Sequence, residues 1–550
     1  MNRESMMHFS DIPSVDIKRS KFKRGYDHKF TMNGGKLIPF YVDTDILPGD
    51  TVSMDLSSIV RMSTPLYPTM DNSFMDIYFF FIPHRLVWDH WKEFWGENNT
   101  TYWEQPIEYE VPQINPPDKG WAADTIADYM GLPTKVKFNS VSHLAFRAYC
   151  KVWNDWFRDE NLKDPCFFNT DETTLTGTNT GDYVLNAQLG AEPLPVAKIH
   201  DYFTSALPAA QKGEAVNIPL GTAAPVYTGE NSWLGKKPGL EWNRSDTGEQ
   251  TIPGSGYQTN IFINPDGNTA VPSTREVSSD SGYAIYPSNL YADLSVATAA
   301  TITQLRQAYA IQRYFENIAR SGSRYIEWVK GVFGVTSPDA RQQRSEYLGG
   351  MRSPINIQQV LQTSSTDATS PQGNTAAFSY TPNSDSLFTK SFTEHGTLIG
   401  LCCIRTEKTY QQGIERMWSR KKWTDFYIPE FANLSEQAIL NKEIYAQGTS
   451  ADEEAFGYQE AWADYRYKPS QISGAFRSNY PNGSLDSWHY AENYTEQPIL
   501  SSEWIDEDAS VITRTLAVTD EPQFICDFWC DATYVRPMPV YSVPGLSERY

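Results

Sequence analysis

The stretch from Ile302 to Val335, ITQLRQAYAIQRYFENIARSGSRYIEWVKGVFGV, is the longest unbroken helical pattern in a chain of 550 residues that otherwise reads as strands and loops. Ile302, Leu305, Ala308, Tyr309, Ile311, Phe315, Ile318 and Ala319 recur at spacings of three and four, which gives a helix with a broad apolar face that needs burial. Thr301 and Thr303 suit its start. Gly322, between two serines, suits its end, where a left-handed glycine commonly closes a helix. Arg306, Arg313 and Arg320 follow at intervals of seven residues, which turn a helix to within about 20° of its starting direction. One edge is therefore an arginine stripe. A solvated or intersubunit ion-pair face explains it better than a phosphate track, because no other basic motif joins it.

The rest of the pattern is mainly β. Leu37–Val42 and Thr51–Leu56 flank the turn Leu47-Pro48-Gly49-Asp50, and the second alternates Val52, Met54 and Leu56 with Ser53 and Asp55. Phe74–Ile82, FMDIYFFFI, is almost all aromatic or β-branched and stops at Pro83, as a strand covered on both faces would. Phe524, Cys526, Phe528 and Cys530 alternate along a closing strand. Strands scattered from first to last fit an antiparallel sandwich or jelly roll with inserts. Helices are expected at Val87–Trp95, whose tryptophans read as core, at Val141–Phe157, and from the capping box Asn433/Glu436 to about Tyr445. Residues 169–289 and 362–386 turn to Gly, Asn, Thr, Ser and Pro, and are expected to be long surface loops.

Charge divides the chain. Net charge is −21, yet residues 1–40 hold eight Lys and Arg against four acids, so the remainder carries −25. Residues 1–36 therefore read as a basic arm on an acidic body, residues 37–550. Within Ile17–Phe30 the cations Lys18, Arg19, Lys21, Lys23 and Arg24 interleave with Phe22, Tyr26 and Phe30, the mixture that single-stranded nucleic acid favours. An arm docking on an acidic neighbouring subunit would look the same. Arg416, Arg420, Lys421 and Lys422 gather in a similar way beside Trp418 and Trp423.

The composition, 40% hydrophobic and 14% aromatic, supports a real core. No run approaches the roughly 18 apolar residues of a membrane span, and no export signal is visible. Six cysteines lack the spacing of a zinc or redox motif and read as buried thiols in a reducing compartment; Cys526 and Cys530 would share one strand face. No HExxH, GxSxG, Walker loop or dinucleotide fingerprint occurs, so no catalytic residue, metal ligand or cofactor is assigned. The acidic runs Asp452-Glu453-Glu454 and Asp506-Glu507-Asp508 read as solvated turns. A glycan-binding protein or glycoside hydrolase would share this acidic, Trp-rich composition, but would need an export signal and a paired carboxylate site.

Longer stretches are more specific than any of these motifs. LPGDTVSMD (Leu47–Asp55), FFFIPHRLVW (Phe79–Trp88), FRAYCKVWNDWFRDENL (Phe146–Leu162), the 305–335 segment, SFTEHGTLIGL (Ser391–Leu401), TYQQGIERMWSR (Thr409–Arg420), FGYQEAWADYRYKPSQISGAFRSNY (Phe456–Tyr480) and RPMPVYSVPGL (Arg536–Leu546) run in order along the chain. In these the chain resembles the major capsid proteins of small single-stranded DNA phages of the Microviridae, in the gokushovirus subfamily. The resemblance does not extend to residues 169–289 or 362–386. It implies an eight-stranded antiparallel jelly roll with large loop and helical insertions, and assembly with itself through pentamers into a T=1 icosahedral shell around a circular single-stranded DNA genome. It also implies a threefold surface protrusion, built in part by 169–289, that meets a host surface receptor. Further partners it implies are an internal scaffolding protein, a small basic DNA-packaging protein and a minor pilot protein, with assembly in the host bacterial cytoplasm and residence in the virion. On that basis Lys18, Arg19, Lys21, Lys23, Arg24, Arg416, Arg420, Lys421 and Lys422 are expected to contact DNA, and Arg306, Arg313 and Arg320 to form intersubunit ion pairs.

Overall fold

The computed structural model describes residues 18–97, 107–214, 216, 302–364, 366, 371–481 and 483–541, together with the short strands Val226–Thr228, Trp242–Arg244, Ile285–Pro287 and Leu290–Ala292. The chain forms two compact units, residues 1–212 with 316–550, and residues 213–315. In the second, Ile285–Pro287 pairs with Trp242–Arg244 and Leu290–Ala292 with Val226–Thr228, both antiparallel.

The first unit is organised by two four-stranded antiparallel sheets. Its strands are β1 (Ser20–Met32), β2 (Ile38–Ile46), β3 (Thr51–Met62), β4 (Ser73–Pro83), β5 (Glu346–Pro354), β6 (Thr381–Ser391), β7 (Gly396–Thr406) and β8 (Phe524–Arg536). One sheet has the order β1-β8-β3-β6 and the other β5-β4-β7-β2. Apart from β4 and β5, which pair with each other, successive strands alternate between the sheets. That is the winding of a jelly roll and agrees with the mainly β expectation.

Alternation along each strand explains which faces meet. Val52, Met54, Leu56 and Val60 of β3 and Phe524, Cys526, Phe528 and Cys530 of β8 point inward, into a core shared with Phe40, Ile77, Phe79 and Leu398 of the other sheet. Phe40 joins the two sides edge-on, with ring centroids 4.9 Å from Phe528 and 5.5 Å from Phe79. The opposite face of β4 and β7, carrying Phe80, Ile82, Ile399, Leu401 and Cys403, is buried in a second core beneath helix α1 (Leu144–Val152). Burial on both faces is why FMDIYFFFI has no polar alternation. All six cysteines are free and buried.

Several boundaries differ from the sequence reading. Residues 169–212 are not a surface loop: Ala187, Leu194 and Val196 pack in the second core, and Tyr202, Phe203 and Ala206 in a third with Tyr410, Ile439 and Phe456. Their sparse apolar anchors are hidden in polar, proline-rich composition. Most of 217–289 lies outside the described residues, as do residues 1–17 and Thr301. From Thr375 onward the 362–386 segment is strand rather than surface loop, because Thr375–Ser379 returns against Ile357–Leu361 and β6 begins at Thr381. The capping-box helix is also replaced. Glu436–Leu440 pairs as a strand with Ala455–Glu460, leaving only Asn441–Ile444 helical, a case of tertiary pairing overriding local propensity. The acidic run at Asp506-Glu507 is not a solvated turn: Asp506 meets Lys163 at 2.8 Å, and buried Glu507 accepts from Lys408 at 3.0 Å and from the Thr406 hydroxyl at 2.6 Å.

The anchor helix forms, as α2 (Ile302–Ser321), and Gly322 closes it at φ +105°. Its apolar face is not buried; no residue of α2 is. Neither is any residue of the helix that follows, α3 (Tyr325–Phe333).

Candidate nucleic-acid interface

The basic stretch near the N-terminus is a strand rather than a tail. From Ser20 to Met32 it pairs residue by residue with β8, Ser20 opposite Arg536 and Met32 opposite Phe524. Period-two geometry then separates its cations. Lys21 and Lys23 lie on the outward face, exposed, as are Lys18 and Arg19 just before the strand. Arg24 points the other way. Its guanidinium reaches buried Asp43 at 2.5 Å and lies 4.8 Å from the Tyr534 ring centre. Burial lowers the Arg24 pKa, but Asp43 and the phenols of Tyr534 and Tyr41 outweigh it, so the group is held above its ordinary value.

The outward face of this sheet is lined with hydroxyls. Thr51 and Ser391 share a hydrogen bond of 2.8 Å, Ser57 and Ser384 one of 2.9 Å, and the Thr389 hydroxyl donates to Ser53 at 2.9 Å. Half-exposed Trp529 lies across Gly25, where an added Cβ would fall 2.8 Å from the indole ring. Glycine is thus what lets the ring settle over β1, on the face that also carries Lys23. The sequence reading missed Trp529, although its place between the inward residues Phe528 and Cys530 in the alternation of β8 was the available signal. Acids share this face, among them Asp27, Asp527 and the cross-strand neighbours Asp55 and Asp531, so the positive end is that of Lys18, Arg19, Lys21 and Lys23.

The second basic group sits at a cavity of about 300 Å³. Thr409–Tyr410 pairs in parallel with Ser470–Gln471, bringing Tyr465, Tyr467, Lys468 and Arg477 to the same mouth as Arg416 and Arg420. These four late residues are not assigned from the sequence; the interleaving of YRYKP was the signal for Tyr465, Tyr467 and Lys468, and Arg477 had none. Arg416 donates to the Ala438 carbonyl at 2.9 Å and lies 3.5 Å from Glu443, whose carboxyl is raised by burial against the pull of that guanidinium. Arg420 is paired with Asp464 and stacks 4.3 Å from the Tyr465 ring centre. Arg477 donates to the Gln411 carbonyl at 2.6 Å. The arginines are therefore anchored, while exposed Tyr467 and Lys468 line the mouth, Lys468 3.4 Å from Glu415, and Lys421 and Lys422 are exposed close in sequence to exposed Trp418 and Trp423. Exposed cations beside exposed rings can pair phosphates and stack bases. Among the described residues no group of three or more His, Cys, Asp or Glu is placed to hold a metal.

Of the arginine stripe, Arg306 and Arg313 are exposed. Arg320 has partners within the chain, Glu436 at 2.5 Å and Glu460 at 3.6 Å.

A jelly roll whose central strands β4 and β7 are buried on both faces, with a polar, partly cationic outer face on the other sheet, is an architecture used by shell-forming viral coat subunits. The sequence comparisons agree. Residues 10–546 match the phage family described as Capsid protein (F protein), and the chain belongs to that family. It is 42% identical to Capsid protein VP1 of Bdellovibrio phage phiMH2K, over 100% of this chain and 99% of that one. It is 42% identical to Capsid protein VP1 of Spiroplasma virus 4 and 40% to that of Chlamydia phage 1, in both cases over 98% of this chain and 97% of the relative. All three are gokushovirus proteins. The chain is thus a major capsid protein of a phage virion, a structural subunit rather than an enzyme, whose copies build a shell.

Proposed function

We propose that copies of this chain close through pentamers into a T=1 icosahedral shell around a circular single-stranded DNA genome, with Lys18, Arg19, Lys21 and Lys23 turned toward the DNA. The observation that supports this reading is the outward cationic end of β1 beside the hydroxyl-lined sheet face and Trp529. Phosphates release counterions to exposed cations, hydroxyls accept or donate at the sugar-phosphate chain, and an indole stacks a base. Lys421, Lys422 and Lys468 add charge at the second site, where Arg420 stacks on Tyr465. The geometry of Arg24 favours a supporting role, holding β1 to β2 through Asp43. Arg306 and Arg313 are assigned to contacts between copies. A scaffolding protein, a basic DNA-packaging protein and a pilot protein complete the particle, and the 213–315 unit and residues 362–374 serve host attachment.

The test is nuclease-protected DNA per particle. Replacing Lys18, Arg19, Lys21 and Lys23 together by Gln is expected to leave shells that form but hold less DNA. Unchanged DNA content would make the strand purely structural.

A further inference from the structure

We propose that the aromatic row on α3 and its exit, Tyr325, Trp328, Val332, Phe333 and Val335, is a contact surface for a second copy of this chain. The inference rests on the capsid reading and names one surface that reading needs. Tyr325 is 66% exposed, Phe333 65%, Val335 55% and Val332 39%, in a nine-residue helix with no buried residue. The rings are organised among themselves. Tyr325 and Trp328 stack at 5.8 Å and 16°, and Phe333 meets Trp328 edge-on at 5.5 Å.

The row is held in place from behind. Arg324, immediately before α3, donates to the carbonyls of Arg158 at 2.7 Å and Asn154 at 3.2 Å and pairs with Glu160 at 2.5 Å. Glu327 accepts from the Arg324 backbone N–H at 3.1 Å, and Gly334 ends the helix at φ +69°. The helix is thus fixed to the body at its start by Arg324, while Tyr325, Val332 and Phe333 stand exposed. Such a preorganised row of aromatic anchors has the composition of an interface centre.

Area and charge point to the occupant. Aromatic side chains bury about 150–250 Å² each, so at these exposures the row offers on the order of 400 Å² per copy, roughly half of what each partner gives to a stable pair. That is too little to hold an isolated dimer. It suits one of several contacts that close together in a shell, where each engagement raises the effective concentration for the next. Exposed Lys330 stands on the same helix and meets a partner chain whose net charge is −21.

Phe333→Cys tests this directly, because all six native cysteines are buried and leave little background. The introduced thiol is expected to react with a maleimide at least tenfold more slowly in assembled particles than in the soluble chain. A maleimide-benzophenone placed there should give a cross-linked product of twice the 62.4 kDa chain mass. Labelling rates within twofold of each other, or a cross-link to a different protein, overturns the inference while the shells themselves uphold the capsid reading. A wild-type chain that forms no shell sinks both. As a second variant, Tyr325→Asp with Phe333→Asp should keep the melting temperature of the soluble chain and lower shell yield at least tenfold; unchanged yield also overturns the inference.

Discussion

Strand β1 places two kinds of cation three residues or fewer apart, and they should separate in one experiment. Arg24→Gln removes the charge facing Asp43, which is buried but keeps the Tyr534 hydroxyl at 2.7 Å and so is not left without a donor. A charge-assisted hydrogen bond of this kind contributes about 1.5–3 kcal/mol when buried. The Arg24 side chain is 43% exposed, and solvent screening brings the expected loss to about 1–2 kcal/mol. Lys21→Gln with Lys23→Gln changes exposed side chains, so stability should stay within about 0.5 kcal/mol. DNA binding should show the reverse. Each phosphate contact on a single strand adds about 0.7 to the slope of log affinity against log salt, so losing both lysines should flatten the slope by about 1.4. Arg24→Gln should leave it nearly unchanged. The assay is fluorescence anisotropy of a labelled single-stranded oligonucleotide across a NaCl series, beside urea melting of the same soluble proteins. If the lysine pair leaves the slope intact and Arg24→Gln flattens it, the assignment of outward and inward roles is wrong.

Other expectations follow from the same geometry. Burial pushes the imidazoles of His84 and His143 down to about 4, aided by His395 and Arg147 respectively, whereas in the unfolded chain they titrate near 6.5. Below that value the unfolded chain binds protons the folded chain does not. Stability should therefore fall as pH drops from about 6.5 to about 4, by roughly 3 kcal/mol per histidine, and changing His84 to Asn should reduce the urea-midpoint shift over that window. Phe79→Ala opens the core between the sheets beside Phe40 and Phe388 and should cost about 3–5 kcal/mol, read as a lowered denaturation midpoint. Arg324→Ala should release α3 and lower shell yield; amide exchange in 325–333 that stays as slow as in the wild type would count against the anchor.

What was legible in the sequence was whatever depends on local periodicity. The two-sided burial of Phe74–Ile82, the closing alternation of Phe524–Cys530 and the helix ending at Gly322 all follow from spacing alone. Paired partners at long range were not legible. Glu436–Leu440 carries a helix signal and becomes a strand because Ala455–Glu460 lies beside it. Leu194 and Val196 flank Pro195, with no helical or strand period to mark them, and they anchor a polar segment in a core built by strands far away in the sequence. The cationic stretch was visible, but its division was not: a two-residue period sends Lys21 and Lys23 outward and Arg24 toward Asp43 only once β8 fixes the strand. The α2 spacing gave the helix but not its surroundings: its apolar face was expected to be buried, and no residue of α2 is.

The central claim is that this chain builds a closed shell, and sedimentation with electron microscopy of the chain expressed alone and beside its neighbouring phage genes tests it most directly. The account predicts isometric particles, or pentamers that close only with a scaffold. A stable monomer under both conditions would contradict it.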